Sequence, residues 1–471
     1  MIRHFLFASC AWLALIATAM SVEAPQKSAA ETRFEALLQV LSAAPEARRA
    51  FVRDNYTQTL IDARGIDALA DFLPRVREDV GKDPPQAVKL LPDRIEARFA
   101  GHGGALLLTV RLGPAPDSKI DGFLIGPDEP APAAAAVPAT PVAAAELPQA
   151  IAAAMQARAK DFSGAVIVAK DGTPIFAQAY GEADRETHRA NTLDTPFNLA
   201  SCNKMFTALV IGKLVEQGKL DWHDKVGKFL PDWPQAEVRD NVTIEHLLTH
   251  TSGLGEYWGA QYDAQRMTLD SVRRYAALIA GDKPAAEPGA KFRYSNNGFV
   301  LLGLIAEKVS GRDYYALVRD IVYKPAGMQH SDHYNPHDAS SGRAIGYEQG
   351  GRANTEHLAV RGSPAGGGYA SANDLLKFAI ALQQGKIIKR ETLEQMTSRH
   401  SQMGPDAGYG YGFGVFQDRE RRFGHNGGAP GISSSIEIFP ESGYVVIAQG
   451  NIDHGPDQVA QQIGKMILSR K

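Results

Sequence analysis

Three short motifs follow one another along the chain: Ser201-Cys202-Asn203-Lys204, then Tyr294-Ser295-Asn296, then His425-Asn426-Gly427. Between them they supply a hydroxyl nucleophile, an amine able to deprotonate it, a phenol as second proton carrier, an amide, and a glycine that permits close backbone approach. Such a set suits acyl transfer through a serine. Residues three apart on an α-helix lie on one face with Cβ atoms about 5–6 Å apart, so a helical Ser201 and Lys204 meet. A free lysine, with a pKa of about 10.4, is mostly protonated at neutral pH. Burial and a nearby helix N-terminus both disfavour its charged form, and a neutral Lys204 can then take the Ser201 proton.

These groups need elements to hold them. Met205, Phe206, Leu209, Val210, Leu214 and Val215 recur at helical spacing, and Gly218 follows as a stop. Ser201 falls near the first turn of that helix. Tyr294-Ser295-Asn296 follows Pro288-Gly289 and precedes Phe299, Leu302, Ile305, Ala306 and Val309, so it reads as the loop before a second helix. A loop in that position can aim side chains into a cleft. Taken singly, Tyr294 reads equally as a core tyrosine and Asn296 as a helix N-cap. His425-Asn426-Gly427-Gly428 lies between short β-like runs, where glycine often marks close backbone approach, or else forms a turn carrying an exposed histidine. An isolated S-x-x-K is expected by chance about once or twice in a chain of this length. The ordered set of three carries the information.

The chain resembles the serine β-lactamase and penicillin-binding protein superfamily, and within it the class C β-lactamase-like branch, over roughly residues 146–471. The resemblance includes Phe197-Asn198-Leu199-Ala200 before the nucleophile, Gly218-Lys219-Leu220-Asp221 after its helix, and Leu247-Leu248-Thr249-His250-Thr251-Ser252-Gly253-Leu254. Pro325-Ala326-Gly327-Met328, Ala365-Gly366-Gly367-Gly368-Tyr369 and Asn373-Asp374-Leu375 extend it. It implies an acylated nucleophile at Ser201, with Lys204 as its general base or proton relay. Tyr294 is implied to carry the proton to the leaving group and to activate water in deacylation. Asn296 is implied to hold Lys204 and the substrate amide. The implied oxyanion hole is the pair of backbone N–H groups of Ser201 and Gly428, of a kind whose single loss costs about 10²–10³ in rate. His425, Asn426 and Gly427 then flank the substrate.

One departure bears on substrate. Where β-lactamases of this family usually carry Lys-Thr-Gly, this chain has His425-Asn426-Gly427. The family lysine helps to bind a substrate carboxylate, whereas a histidine with an ordinary pKa of about 6.5 is mostly neutral at pH 7. Carboxylate capture is therefore expected to weaken, and to recover toward pH 6 as His425 charges. Relatives with histidine here are often esterases, D-amino-acid peptidases or amidases.

Competing chemistry finds less support. His246 and His250 have the i,i+4 spacing of a zinc helix, but Glu245 stands before His246 rather than after it. There is no G-x-S-x-G elbow, no phosphate-binding G-x-x-x-x-G-K-[ST] loop and no cysteine pair for zinc, so no cofactor and no metal are expected. Tyr257, Trp258, Tyr347 and Tyr411 are candidates for lining a cleft, with core or surface packing as the ordinary role. A net charge of −3 argues against a nucleic-acid partner, for which a strongly basic face is the signature.

The organisation is that of a two-domain α+β protein of 471 residues behind a leader. Arg3 and His4, an apolar run from Phe5 to Met20 and small residues up to Ala24 read as a cleaved export signal over residues 1–24, too short for a stable membrane span. A periplasmic or secreted location follows. Cys10 leaves with the signal, and Cys202 is then the sole cysteine of the mature chain, read as a small buried side chain. Residues 128–145 form a Pro/Ala-rich linker. Before it, residues 30–127 read as a small α+β domain: helical patterns near 31–43, 45–53 and 65–80, then strands near 86–91, 94–100, 104–112 and 118–126, with Gly101 to Gly104 as a turn. This part resembles SnoaL-like or nuclear-transport-factor-like domains, and serves either as a docking, dimerising or substrate-screening module or as a folding spacer. After the linker, residues 146–471 begin with a helix at 147–159 and a hairpin turning at Lys170-Asp171-Gly172, and end with strands near 411–417, 420–425, 432–438 and 443–449. The resemblance implies an antiparallel sheet built from both ends of this domain, flanked by helices, with an all-helical lobe over about 201–400.

Three functions compete. The first is a serine hydrolase cleaving an ester or amide through an acyl-enzyme on Ser201. The second is a β-lactamase or D,D-carboxypeptidase, disfavoured by His425. The third is a non-catalytic ligand-binding or sensor protein, which would have no need of Ser201, Lys204, Tyr294 and Asn296 together.

Overall fold

The computed structural model describes residues 28–470 apart from 92, 101–105, 115–116, 128–142, 349, 405 and 454. The expected export signal, Cys10, the turn at Gly101 to Gly104 and nearly all of the expected linker lie outside the described residues.

The N-terminal part packs helices α1 (Ala29–Val40), α2 (Pro45–Asn55), α3 (Gln58–Arg64) and α4 (Ile66–Val80) against an antiparallel meander, β1 (Ala87–Leu90), β2 (Arg94–Phe99), β3 (Leu106–Leu112) and β4 (Ile120–Pro127), in the order β1-β2-β3-β4. Along β3 burial alternates strictly, so Leu106, Leu108, Val110 and Leu112 face the helices. They join Phe34, Leu37, Phe51, Val52, Leu73 and Val76 in an apolar core of their own. Helix α3 was not anticipated, because it is only seven residues long: Thr57 caps it by accepting from the Leu60 N–H, and Gly65 ends it at a φ of 82°.

The larger part begins with α5 (Leu147–Arg158) and the hairpin β5 (Gly164–Lys170) and β6 (Thr173–Tyr180). These strands join others from the far end of the chain: β7 (Ser401–Gln402), β8 (Ala407–Tyr409), β9 (Gly414–Gln417), β10 (Arg421–Ala429), β11 (Ile432–Phe439) and β12 (Tyr444–Gly450). The described sheet has eight strands in the order β7-β8-β9-β10-β11-β12-β5-β6, with every described pairing antiparallel. Val445 and Ile447 of β12 face one apolar core with Ala165 and Ile167 of β5, while Val446 and Ala448 face a second with α5 and the C-terminal helix Gly455–Leu468. Continuous apolar runs such as Tyr444-Val445-Val446-Ile447-Ala448 thus mark a strand covered on both faces.

Helix α6 (Lys204–Glu216) runs through the first of these cores, with ten of its thirteen residues buried. It abuts α7 (Asn296–Ser310) in the lobe between the two halves of the sheet. Among the described residues the regular elements of the lobe are helices, apart from two-residue strands: Phe197–Asn198 pairs with Tyr369–Ala370, which pairs with Ser331–Asp332. That patch corrects the expectation of an all-helical lobe, and it anchors the chain just before Ser201. Among the described residues no helix is long and apolar enough to cross a membrane.

Candidate active site

Ser201 lies in a 3₁₀ turn, Ala200–Asn203, that leads directly into α6. The turn is held from outside. Leu199 N–H donates to Gly368 O at 2.8 Å, and Ala200 N–H to the Asn198 side-chain oxygen at 2.9 Å. Ala200 sits at a φ of 42°, a region costly for a residue with a Cβ, so the residue preceding Ser201 is strained and its neighbours must hold it there. Behind it Cys202 is fully buried, its thiol 3.1 Å from His425 O, and burial pushes its pKa up to about 12. It is an inert packing group.

Lys204 is also fully buried. Its Nζ lies 3.1 Å from Ser201 Oγ, 2.6 Å from Asn296 Oδ1 and 2.7 Å from Ala365 O. Burial lowers its pKa to about 7, against an opposing pull from the Glu256 carboxylate. The three neighbours are not equivalent. Asn296 Oδ1 and Ala365 O can only accept, so they take the two N–H groups of a neutral amine, and its lone pair is left to face the Ser201 hydroxyl. In that state Ser201 donates to Lys204. The ammonium form instead gains from the faces of Tyr294 and Phe299, whose ring centroids lie 4.7 and 5.4 Å from Nζ.

The second motif opens α7. Ser295, not Asn296, is the N-cap, its hydroxyl accepting from the Gly298 N–H at 3.0 Å. Asn296 is thereby freed to reach Lys204 with its oxygen, while its Nδ2 donates to Glu256 Oε2. Tyr294 is half-buried, with its ring 4.2 Å, centroid to centroid, from that of His250.

The third motif lies inside strand β10, and neither a turn nor an exposed histidine is found there. Strand β9 pairs with β10 only through Gly424, whereas β11 pairs with it through Ala429, so His425 to Ala429 leave one strand edge open beside Ser201. Gly427 is required for that approach: a Cβ there would stand 2.4 Å from Leu199 O and 2.6 Å from Ser201 N. Gly428, where the expected second oxyanion donor resides, follows in the same open stretch.

The structure overturns the expectation for the charge of His425. The ring is 9% exposed, its Nδ1 hydrogen-bonded to Asn426 O at 2.5 Å and its Nε2 to the Tyr409 hydroxyl at 2.8 Å. A carbonyl only accepts, so Nδ1 carries the proton and Tyr409 donates to Nε2. Burial, reinforced by Lys204, lowers the His425 pKa to about 3. The ring stays neutral at pH 6 and gives no acid-side gain in carboxylate binding.

Other expected residues serve elsewhere. Tyr347 OH accepts from Arg185 N–H, and Tyr411 OH donates to Glu245 at 2.8 Å while stacking on His400. Tyr257 is buried against Ser363, whereas Trp258 is 49% exposed on the loop that carries Glu256. His246 closes the N-cap of its own helix through Nδ1, and His250 turns to Ser295, so the two rings of the zinc-like spacing face different partners. Glu256, Tyr409 and the Ala365 carbonyl are the site components that the sequence reading missed. Ala365 lay in a segment already matched to the family, but a carbonyl has no residue-type signature.

The comparisons agree with this architecture. The family model described as Beta-lactamase matches residues 148–467. The chain is 31% identical to "Penicillin-binding protein 4*" of Bacillus subtilis (strain 168) over 297 residues, 58% of this chain and 65% of that protein, so it spans just under two thirds of that relative's length. Among solved structures it is similar to a penicillin-binding protein from Bacillus halodurans, with a TM-score of 0.61, 29% identity and coverage of 68% of this chain and 99% of the other. It is also similar to a D-stereospecific amidohydrolase from Streptomyces sp., with a TM-score of 0.55, 26% identity and coverage of 68% and 97%. With the family model matching well over half of its length, around a buried lysine, a serine and an open strand edge, this chain belongs to the serine β-lactamase and penicillin-binding protein superfamily.

Proposed function

We propose that this chain is an exported serine hydrolase that cleaves an ester or amide, of esterase or D-amino-acid peptidase or amidase type, through an acyl-enzyme on Ser201. Neutral Lys204 takes the Ser201 proton as Oγ attacks the carbonyl carbon. The N–H groups of Ser201 and Gly428 hold the resulting oxyanion. Tyr294 passes a proton to the departing alcohol or amine, and in the second half-reaction it takes one from the attacking water. Asn296 holds Lys204 in place, and the open edge of β10 offers backbone groups along which an extended substrate can lie.

The observation that carries this reading is the environment of Lys204: fully buried, pKa about 7, and bonded to two pure acceptors so that its lone pair faces Ser201. A binding protein gains nothing from that arrangement, since a buried amine costs stability. Similarity to the Streptomyces D-stereospecific amidohydrolase supports an amide or ester substrate.

A second reading, β-lactamase or D,D-carboxypeptidase, draws on the similarity to proteins named as penicillin-binding. The neutral His425 disfavours it, because the position that carries a lysine in β-lactamases holds no charge here.

Hydrolysis of a short-chain p-nitrophenyl ester by the mature protein, beside Ser201→Ala, tests the proposal. Wild-type turnover that falls on the order of 10³-fold or more in the variant is expected. Equal turnover by both proteins, or none by folded wild type, would overturn it in favour of a ligand-binding protein. Stable labelling of Ser201 by a penicillin would move the assignment to the second reading.

A further inference from the structure

His250 belongs to a segment shared with the family, Leu247 to Leu254, yet the mechanism above gives it no task. It is fully buried and holds a φ of 57°, a left-handed conformation that histidine tolerates better than bulky or β-branched residues do. This backbone departure, just beyond the helix Ile244–Leu248 and its C-cap Thr249, turns the residue toward the second motif. Three contacts then bracket Tyr294. The His250 carbonyl accepts from the Arg293 N–H at 2.6 Å, on one side of the tyrosine. Its ring Nδ1 accepts from the Ser295 N–H at 3.0 Å, on the other side. Between these bonds the imidazole lies against the Tyr294 ring, centroids 4.2 Å apart and planes inclined by 34°. Phe292, Phe299 and Tyr409 also surround it, with centroids 5.7, 5.2 and 4.6 Å from the imidazole. Nε2 has no hydrogen-bond partner among the described residues, so the ring acts through Nδ1 and its faces.

We infer that His250 is a positioning residue for Tyr294: it holds the backbone N–H groups of the residues on either side of the tyrosine and the face of its ring, and so sets where the phenol stands relative to Ser201 and Lys204. The inference rests on the serine-hydrolase reading. Rotation of a half-buried phenol is otherwise restricted only by its neighbours, and misplacement of a reacting group by about 1 Å can cost on the order of 10²-fold in rate. Histidine meets all three demands together. Phenylalanine would keep the ring and lose the acceptor for Ser295 N–H. Asparagine tolerates the left-handed backbone and offers an oxygen near the position of Nδ1, but it has no ring to lay against Tyr294.

A double-mutant cycle tests this, using Tyr294→Phe with His250→Asn and, as the second variant should one fold poorly, His250→Phe. The readouts are the rate constant of the p-nitrophenol burst, which reports acylation, and its amplitude, which counts competent Ser201 sites. In the wild-type background each His250 substitution is expected to slow acylation about 10–100-fold, with amplitude and KM little changed. With Tyr294 already replaced by Phe, the same substitution should cost less than about threefold, since the hydroxyl that His250 positions is gone. Equal losses in both backgrounds, or losses confined to the amplitude, would overturn the positioning role and leave a purely structural one. A wild-type burst that does not depend on Ser201 would instead overturn the hydrolase reading, and this inference with it, whereas a Ser201-dependent burst that Tyr294→Phe leaves unchanged would overturn this inference alone.

Discussion

At the scale of single residues, the site works by removing charge from where water would otherwise support it. Lys204, His250 and His425 are each buried, and burial disfavours the protonated form of all three. The remaining lever on Lys204 is Glu256, half-buried and joined to it through the two ends of the Asn296 amide. A carboxylate there stabilises the ammonium and raises the lysine pKa against desolvation. If neutral Lys204 is the base, kcat/KM for an uncharged ester should rise with pH through about 7 and then level off. Glu256→Gln keeps an acceptor for Asn296 Nδ2 and removes the charge, so the midpoint of that limb should move to lower pH. A profile that stays put in Glu256→Gln would show that the limb belongs to another group.

At the scale of elements, the site is a meeting of two helix starts and one strand. Helix α6 delivers Lys204 from its first residue, α7 delivers Asn296 from its first, and β10 passes Gly427 across the turn that carries Ser201. The approach of β10 tolerates no side chain at one position and tolerates one at the next. A Cβ on Gly427 would collide with backbone atoms of Leu199 and Ser201, whereas on Gly428 its nearest neighbour would be Ile432 O at 3.8 Å. Gly427→Ala should therefore push the strand off the nucleophile turn, costing about 1–3 kcal/mol of stability and on the order of 10²-fold in acylation. Gly428→Ala keeps its N–H and should lose far less. Thermal midpoints together with burst rates for the two variants distinguish these outcomes.

At the scale of the whole molecule, buried neutral histidines tie stability to pH. His425 and His333 have pKa values lowered to about 3 and His250 is lowered well below its ordinary value, all by burial. The unfolded chain binds protons at these sites below about pH 6.5 and the folded chain does not, so their contribution is present above that pH and is lost as pH falls. Glu437 acts in the opposite sense. Burial raises its pKa to about 7, so its protonated form favours the fold at low pH and that contribution disappears as pH rises through 7. Each net group changes unfolding free energy by about 1.4 kcal/mol per pH unit within its window. His246 is lowered by burial as well, and Asp282 and Glu307 are raised by it, so four histidines against three carboxyl groups predict a thermal midpoint that falls from pH 6.5 to 4.5. A flat midpoint over that range would mean the rings are not buried as neutral groups. The N-terminal part meets this body close to the site: Asp62 of α3 pairs with Lys291 at 3.2 Å, three residues before Tyr294.

Much of the arrangement was legible in the chain alone. Helical periodicity after Ser201 and before Gly218 placed α6 to within a few residues, because an apolar stripe at that spacing has few other uses. The alternation of β3 and the apolar runs of β5 and β12 marked strands for the same reason. Types and order of residues also determined which chemistry the site could perform. The tertiary structure alone decided the rest. The sequence reading left the third motif between strands, but pairing with β11 carries β10 through it, and pairing is a property of two segments. Asn296 read equally as a cap until Ser295 took that role. His425 had the type of a titrating group near neutrality, and its neutrality came from burial, reinforced by Lys204 at a distance of 221 positions along the chain. Residue type fixes which proton a group can carry, and burial with its neighbours fixes the pH at which it does so, which is why the chemistry could be read from the chain and the charge state could not.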